Sequence, residues 1–230
     1  MTETPCQLLR PKLMSFDVFG TLISVRDSSY GAFERILAAA SADRIDVKAF
    51  WEHWEHRNIK HYWDRPYQTY RDICQRSLAE TFAHFEVGGD SRLIGYYFDA
   101  FPNFFLYDDV VRTLDALARR YKLAVVSNID DDLLAATPLG REFDLVCTAE
   151  KARGYKPDGS LFRYLIARAG VGLEKILHSG QSQFTDMVGG KPLGLTIAWI
   201  NRRGLRLHPS VPRPDFTFPG LAPLERLLLA

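Results

Sequence analysis

The sequence predicts an α/β fold in which a doubly wound, Rossmann-like parallel sheet carries an inserted helical cap domain. Short apolar runs typical of buried parallel strands recur along the chain, and segments of helical periodicity separate most of them. A long stretch between the first and second runs has helical periodicity and few strand signals. Alternating strands and helices predict the doubly wound sheet, and the long helical stretch predicts a cap over its mouth.

The predicted elements follow in chain order. The expected strands are residues 13–19, 123–127, 145–148, 176–178 and 196–200. The expected cap helices are residues 29–40, 47–62, 66–85 and 91–100, and a core helix covers residues 108–120. Prolines within residues 209–219 exclude a long helix there and predict an extended path before a last helix. The domains expected from these boundaries are a core of residues 1–23 and 104–230 and a cap of residues 24–103.

Composition limits the classes of partner. The 230 residues carry 29 basic and 28 acidic side chains, for a net charge of +1. This balance provides no field that would attract nucleic acid or an anionic membrane, and no apolar run is long enough to span a membrane. Cys6, Cys74 and Cys147 lack metal-ligand spacing and are expected to be free thiols of a reducing compartment. We therefore expect a cytoplasmic protein that acts on a small molecule, with no nucleic-acid or membrane partner.

Polar residues follow several of the predicted strands, at the place where open α/β sheets bind ligands. Asp17 ends the first strand and opens a turn through Gly20 to Thr21. Ser127 and Asn128 end the second strand. The later members of the set are Lys156, which precedes Pro157, and Gln181, Gln183 and Asp186 in a glycine-led loop.

Each candidate taken alone also has a structural explanation. A strand-end aspartate such as Asp17 often forms a turn, a lysine such as Lys156 is often solvated, and Asp186 is placed to cap a helix. Because these residues occur together at successive strand ends, we favour a catalytic site. His53 and His56 lack a convergent carboxylate pattern, so a solvated helix face is favoured over a metal site.

The order of Asp17, Ser127, Lys156 and a glycine-led loop ending in Asp186 resembles the ordered motifs of the haloacid dehalogenase superfamily of hydrolases. The resemblance covers nearly the whole chain. It includes the helical insertion after the first motif, which looks like that family's cap.

Two positions depart from the pattern of the superfamily's phosphatases. Those enzymes carry a second aspartate two places after the nucleophile and another directly after the glycine of the last motif. Here the two positions hold Phe19 and Gln181. A phenyl ring cannot protonate a leaving alkoxide, and a neutral amide is a poor ligand for a hard dication. Phe19 instead resembles the aromatic of the L-2-haloacid dehalogenase branch, which implies a reaction without metal or other cofactor.

By this resemblance Asp17 is a nucleophile that displaces halide from the α-carbon of a small 2-substituted carboxylic acid and forms an aspartyl ester. Water then cleaves the ester and leaves a 2-hydroxy acid of inverted configuration. Lys156 is expected to orient Asp17 and lower its pKa, and Asp186 to activate the water. The core residues implied to bind substrate are Val18, Phe19, Thr21, Ser127, Asn128, Gln181 and Gln183.

The resemblance also implies that the cap surrounds the departing halide with an arginine and aromatic side chains, because exclusion of water strengthens such contacts. Arg57 is the first candidate, since it follows residues 51–56, about where the dehalogenases place their cap arginine; Arg65 and Arg71 are the others. The resemblance and the aromatic-rich cap favour a homodimer. The aromatic candidates for the halide site are Tyr62, Trp63 and Tyr67.

Other functions stay open at this point. Gln181 and Gln183 stand where the dehalogenase branch carries Ser and Asn, so a ring-opening hydrolase of azetidine-2-carboxylate with the same nucleophile is an alternative. A phosphatase is disfavoured by Phe19 and Gln181. A non-enzymatic binding module is disfavoured because Asp17 and Lys156 are both kept.

Overall fold

A parallel sheet forms the centre of the molecule in the computed structural model, which describes residues 11–229. Its strands lie in the order β3-β2-β1-β4-β5-β6, and each pairs in parallel with its neighbours. The predicted α/β fold is therefore confirmed. The strands are β1 (Leu13–Phe16), β2 (Lys122–Ser127), β3 (Leu145–Thr148), β4 (Ile176–Gly180), β5 (Thr196–Ile200) and β6 (Phe216–Phe218).

Helices cover the sheet and fill the interval between β1 and β2. That interval holds α1 (Val25–Ala39), α2 (Val47–His61), α3 (Tyr70–His84) and α4 (Gly95–Asp99), with 3-10 turns at Ser91–Ile94 and Phe101–Asn103. The remaining helices are α5 (Val110–Ala118), α6 (Asp131–Ala135), α7 (Ala149–Ala152), α8 (Ser160–Arg168), α9 (Val188–Gly190) and α10 (Leu221–Leu229). A π turn at Gln183–Met187 leads into α9.

The two faces of the sheet belong to separate apolar clusters, because successive side chains of a strand point to opposite faces. In β2, Leu123 and Val125 join one cluster, and Ala124 and Val126 join the other. Helices α5 and α10 pack on the first face, and the same apolar cluster continues into side chains of residues 25–104. Helix α8 packs on the second face. The sheet is thus buried on both sides, as expected for parallel strands.

The chain leaves and re-enters the core at one place. The Ser24 amide donates to the Phe105 carbonyl at 2.8 Å, and the Tyr107 amide donates to the Leu22 carbonyl at 3.0 Å. An antiparallel bridge joins residue 23 to residue 106 between these bonds. This short ladder ties together the two ends of the helical segment, as an insertion into the sheet requires.

Several predicted boundaries differ from those observed. The first strand stops at Phe16 rather than at residue 19, and the helix expected over 66–85 begins at Tyr70. Thr69 sets that start, because its hydroxyl accepts from the Asp72 amide while the Asp72 carboxylate accepts from the Thr69 amide. Strand β6 was predicted only as an extended segment.

Two further predictions concern bulk properties. No helix within residues 11–229 is long and apolar enough to cross a membrane. Cys74 and Cys147 are buried and unpaired, and burial raises the pKa of both thiols above the ordinary value. Cys6 lies outside the described residues.

Candidate active site

The candidate residues meet where the strand order reverses. Strand β1 lies between β2 and β4, with Phe16 opposite both Val125 and Ser179. The chain directly after each of these strands therefore reaches the same edge of the sheet. Asp17 and Ser127 are thereby brought side by side with the loop that starts at residue 180.

The Asp17 carboxylate is fixed by the turn that follows β1. Its Oδ2 accepts from the Thr21 hydroxyl at 2.6 Å, and the same hydroxyl oxygen accepts from the Gln181 amide at 2.9 Å. Gly20 has a φ of +87°, and a Cβ on it would lie 2.8 Å from the Gln181 side chain. Glycine at this position therefore allows both the left-handed turn and the close approach of the loop that starts at residue 180.

Lys156 is buried between two carboxylates. Its ammonium donates to Asp17 Oδ1, and to Asp186 Oδ1 at 2.9 Å. Its backbone amide donates to Asn128 Oδ1 at 2.9 Å, and a Cβ on Gly189 would lie only 1.7 Å from its carbonyl oxygen. Asn128 and Gly189 therefore hold the lysine loop from both sides, so the ammonium has little freedom to move.

Asp186 lies behind this pair and is fully buried. Its Oδ1 also lies 3.2 Å from His178 Nε2, and its Oδ2 accepts from the Ser182 amide at 3.0 Å. The Ser15 hydroxyl lies 2.9 Å from His178 Nδ1. Because an ionised carboxylate only accepts, His178 carries its hydrogen on Nε2, and its Nδ1 can accept from Ser15.

A cavity of about 100 Å³ opens above Asp17. Ser127 lines this cavity, and its buried hydroxyl has no hydrogen-bond partner among the described residues. The backbone amides of Val18 and Phe19 also donate no backbone hydrogen bond in the described part of the chain. The predicted residues that line the cavity are Asp17, Phe19, Ser127, Asn128, Lys156 and Gln181, with Tyr62 from the cap candidates.

Comparison with known proteins identifies the family of this chain. A family model of haloacid dehalogenase-like hydrolases matches residues 11–194. The chain belongs to this family. It is 26% identical over 228 residues to haloacetate dehalogenase H-2 of Moraxella sp. (strain B), covering 94% of this chain and 96% of the relative. It is 24% identical over 198 residues to (S)-2-haloacid dehalogenase 4A of Burkholderia cepacia, covering 82% of each.

The fold is also that of solved dehalogenases. L-2-haloacid dehalogenase from Xanthobacter autotrophicus, with chloropropionic acid covalently bound, matches this haloacid dehalogenase-like hydrolase with a TM-score of 0.82. The identity is 23%, and the match covers 96% of this chain and 99% of that chain. The prediction of a haloacid dehalogenase-like hydrolase is therefore confirmed.

The electrostatics of this hydrolase's site centre on Lys156. Burial raises the pKa of Asp17; Lys156 opposes this, as expected, but the net pKa still lies above its ordinary value. For Asp186, burial is outweighed by Lys156 and His178, so its pKa is lowered. Burial disfavours the Lys156 cation, yet the two carboxylates raise its pKa. We infer that Lys156 is an ammonium ion and that Asp186 is ionised. Asp17 is a weaker acid than the sequence predicts, because its pKa is raised rather than lowered.

The haloacid dehalogenase-like site does not bring every predicted residue to the cavity. The Val18 side chain is buried in the core, which leaves only its backbone amide near the site, and Thr21 contacts Asp17 rather than the cavity. The Gln183 amide group bonds the backbone of residues 206 and 208. Asp186 does not line the cavity. Its carboxylate oxygens instead contact the Lys156 ammonium, the His178 ring and the Ser182 amide.

The predicted cap arginines require a correction. Arg57 pairs with Glu80, and the other two pair with carboxylates outside the cavity, Arg65 with Asp158 and Arg71 with Asp132. None of them lines the cavity within the described chain. Of the aromatic candidates, Trp63 is 52% exposed and Tyr67 stacks on Tyr155 away from it.

Sequence reasoning missed the cap wall of the cavity, which is one face of α2 continued to Tyr62. These residues are Trp51, Trp54, Glu55, Asn58, Ile59 and Tyr62. Their spacing of three and four residues is that of a single helix face, and Arg57 lies roughly 130° around the helix from its centre at 3.6 residues per turn. The spacing was visible in the sequence, but of these residues only Tyr62 was among the predicted site residues. Other cap residues on the wall are Val25, Tyr70 and Tyr97.

The donor set does not fit the magnesium of the family's phosphatases. Both oxygens of Asp17 and both oxygens of Asp186 already accept hydrogen bonds from protein donors, including the Lys156 ammonium. Gln181 offers a neutral amide where a hard dication prefers an anionic oxygen. Within residues 11–229, no group of three or more His, Cys, Asp or Glu side chains is arranged to hold a metal ion.

Proposed function

We propose that this hydrolase displaces halide from the α-carbon of a small 2-haloacid, with Asp17 as the nucleophile. The observation that carries the proposal is the Asp17 carboxylate, which Thr21 and Lys156 fix beneath the cavity and beside the Ser127 hydroxyl, unpaired among the described residues. The names of the relatives from Moraxella and Burkholderia support the same reaction class.

In the first step, Ser127 Oγ and the free amides of Val18 and Phe19 bind the substrate carboxylate. An Asp17 oxygen attacks the α-carbon from the side opposite the halide, the carbon–halogen bond breaks, and halide leaves with the electron pair. Phe19 and the aromatic cap wall exclude water, which would otherwise solvate the nucleophile. The product is an aspartyl ester on Asp17.

In the second step, water attacks the carbonyl carbon of the ester, and the 2-hydroxy acid leaves with inverted configuration. We retain Asp186 as the base, because its lowered pKa keeps it ionised beside Lys156. Since Asp186 does not line the cavity, its role requires water to enter between the two carboxylates after Asp17 has lost its charge to the ester. Lys156 then stabilises the negative charge that develops on the carbonyl oxygen.

The helical segment completes the site, and we propose residues 24–103 as a cap domain on a core of residues 1–23 and 104–230. The ladder between residues 22–24 and 105–107 supports these boundaries. One wall of the cavity comes from the cap, through α2 and Tyr97, and the floor comes from the core. Substrate therefore binds at the junction of the two.

A product assay tests the proposal. The protein is incubated with each enantiomer of 2-chloropropionate and with p-nitrophenyl phosphate, with and without EDTA, and released chloride and phosphate are measured. We expect chloride from the (S) enantiomer, unchanged by EDTA, and an 18O label in Asp17 after turnover in H2 18O. Full turnover by Asp17→Asn, or activity that EDTA abolishes, contradicts the assignment.

A phosphatase is the second class considered. Phe19 in the cavity offers no proton to a leaving alkoxide, and the donor set around Asp186 does not suit magnesium. Ring opening of azetidine-2-carboxylate has no support from the relatives named above.

A further inference from the structure

Glu55 is an acidic side chain in a place where the proposed reaction does not need one. It lies on the face of α2 that forms the cap wall, and it lines the cavity together with Asp17. Its carboxylate forms no hydrogen bond or ion pair with any described residue, and the residue is half-buried. Within this cavity, such an acid gains a partner only from a bound ligand.

The charges around the cavity are unbalanced. Asp17 and Asp186 share the single ammonium of Lys156, which is the only basic side chain among the described residues that line the cavity. Glu55 adds a further acid to this set. A halide and a carboxylate alone would bring only negative charge to it.

The nearest other cations do not neutralise Glu55 by contact. Arg26 and Arg203 face it from a second, smaller cavity of about 30 Å³, which Glu55 also lines. Arg26 is paired with Glu52, and the Arg203 side chain is exposed. Burial raises the pKa of Glu55, which is the cost of holding this carboxylate without a direct partner.

We propose that Glu55 binds a protonated nitrogen of the substrate, so that the preferred substrates are small 2-haloacids that also carry an ammonium group. The inference deepens the proposed function and depends on it for the site of attack. The substrate carboxylate lies at Ser127, the reacting carbon faces Asp17, and the ammonium group lies against Glu55 on the cap wall. The nitrogen stays on the substrate, and halide remains the leaving group.

Charge complementarity gives the reason for this preference. A hydrogen bond between ammonium and carboxylate is worth about 1.5–3 kcal/mol, which corresponds to about tenfold to hundredfold in affinity. Without the ammonium group, the Glu55 carboxylate is confined beside an anionic ligand. The aromatic rings of Trp51 and Trp54 flank Glu55 on the same wall, and both attract cations.

Binding of non-reactive ligands tests the inference independently of catalysis. Propionate and 3-aminopropionate carry no leaving group, so calorimetric titration of the intact protein measures affinity alone. We expect 3-aminopropionate to bind about tenfold to hundredfold more tightly than propionate to the wild-type protein. In Glu55→Gln this preference should vanish, while propionate binds as well as before or better. Glu34→Gln, on an exposed position of α1 and outside the cavity, is the matched control and should keep the preference.

Kinetics provide the second readout. The ratio of kcat/KM for 3-amino-2-chloropropionate to that for 2-chloropropionate should fall by the same factor in Glu55→Gln and stay unchanged in Glu34→Gln. Equal affinity of the two non-reactive ligands for the wild-type protein overturns the inference. So does an equal loss on both ligands in Glu55→Gln, which would indicate a structural role. If the binding preference is found but neither chloro acid is hydrolysed, the proposed function fails and the ammonium site stands.

Discussion

Replacement of Lys156 by methionine should destabilise the protein more than any exposed substitution. The unbranched side chain keeps most of its length, but Asp17 and Asp186 lose the cation that they share, and both remain buried. Removing one partner of a buried ion pair costs about 3–5 kcal/mol, because the remaining charge is left uncompensated. Against a total stability of about 5–15 kcal/mol, this is a large fraction.

The loss should depend on pH, and its sign follows from the two carboxylates. Without Lys156, burial raises the folded-state pKa of Asp17 and Asp186 above the unfolded value, which for both is the ordinary 3.8. Ionisation then opposes folding, so the deficit is small below the unfolded pKa and grows as the pH rises through the folded-state values. We expect the full 3–5 kcal/mol at about pH 8 and a clearly smaller loss near pH 4.5.

Urea denaturation followed by circular dichroism at the two pH values measures the deficit. Asp17→Asn combined with Lys156→Met should recover much of the stability, since only one buried charge then lacks the ammonium. Lys60→Met, on an exposed position of α2, is the control and should change stability by about 0.5 kcal/mol or less. A deficit under about 1 kcal/mol at pH 8, or one that does not shrink on acidification, refutes the reasoning.

The remaining predictions concern activity. Gly189→Ala should lower kcat at least about tenfold, because the added Cβ would displace the Lys156 carbonyl. Gly31→Ala in α1 is the control: its Cβ meets no neighbour, so kcat should stay unchanged. Steady-state assays measure both. Ser127→Ala should raise KM about tenfold, because the substrate carboxylate loses a hydrogen-bond donor. The Tm should change little, because the hydroxyl has no partner among the described residues to lose. An unchanged KM contradicts carboxylate binding there. Because only ionised Asp17 attacks, kcat/KM should fall as the pH drops through its raised pKa, and a pH–rate profile flat down to pH 4 contradicts this.

The sequence predicted the sheet well because parallel strands buried on both faces are apolar throughout. Residues 123–127, 145–148 and 196–200 closely match β2, β3 and β5. Strand β6 was not predicted, because it is short, only half-buried and next to prolines, and its pairing with β5 is a long-range property. The helix expected over 91–100 is a 3-10 turn followed by the short α4, a division that periodicity does not reveal.

The core side of the site was predictable because strand ends locate it. Asp17 and Ser127 end apolar runs, Lys156 precedes a motif proline, and the register of β1 with β2 brings the first two together. The cap side was predicted less well. Arg57 was chosen because it follows residues 51–56, and the choice did not consider which face of the helix Arg57 occupies. A residue lines a cavity only if it shares a face with its neighbours, and Glu55 shares the Trp51 face whereas Arg57 does not.

The loop after β2 connects the chemistry of the core to the position of the cap. Asp130 is buried, and its carboxylate accepts from the amides of Tyr70 and Arg71 at 2.9 and 3.0 Å, at the first turn of α3. Helix N-termini favour such an acceptor, so Asp130 anchors the first turn of α3 to this loop. Ser127, the last residue of β2, lies three residues before Asp130 and lines the same cavity as Tyr70. We therefore expect a shift of α3 to move this loop and, with it, the Ser127 hydroxyl. If Ser127 binds the substrate carboxylate, as proposed, a change in cavity volume on the α3 side should alter carboxylate binding as well.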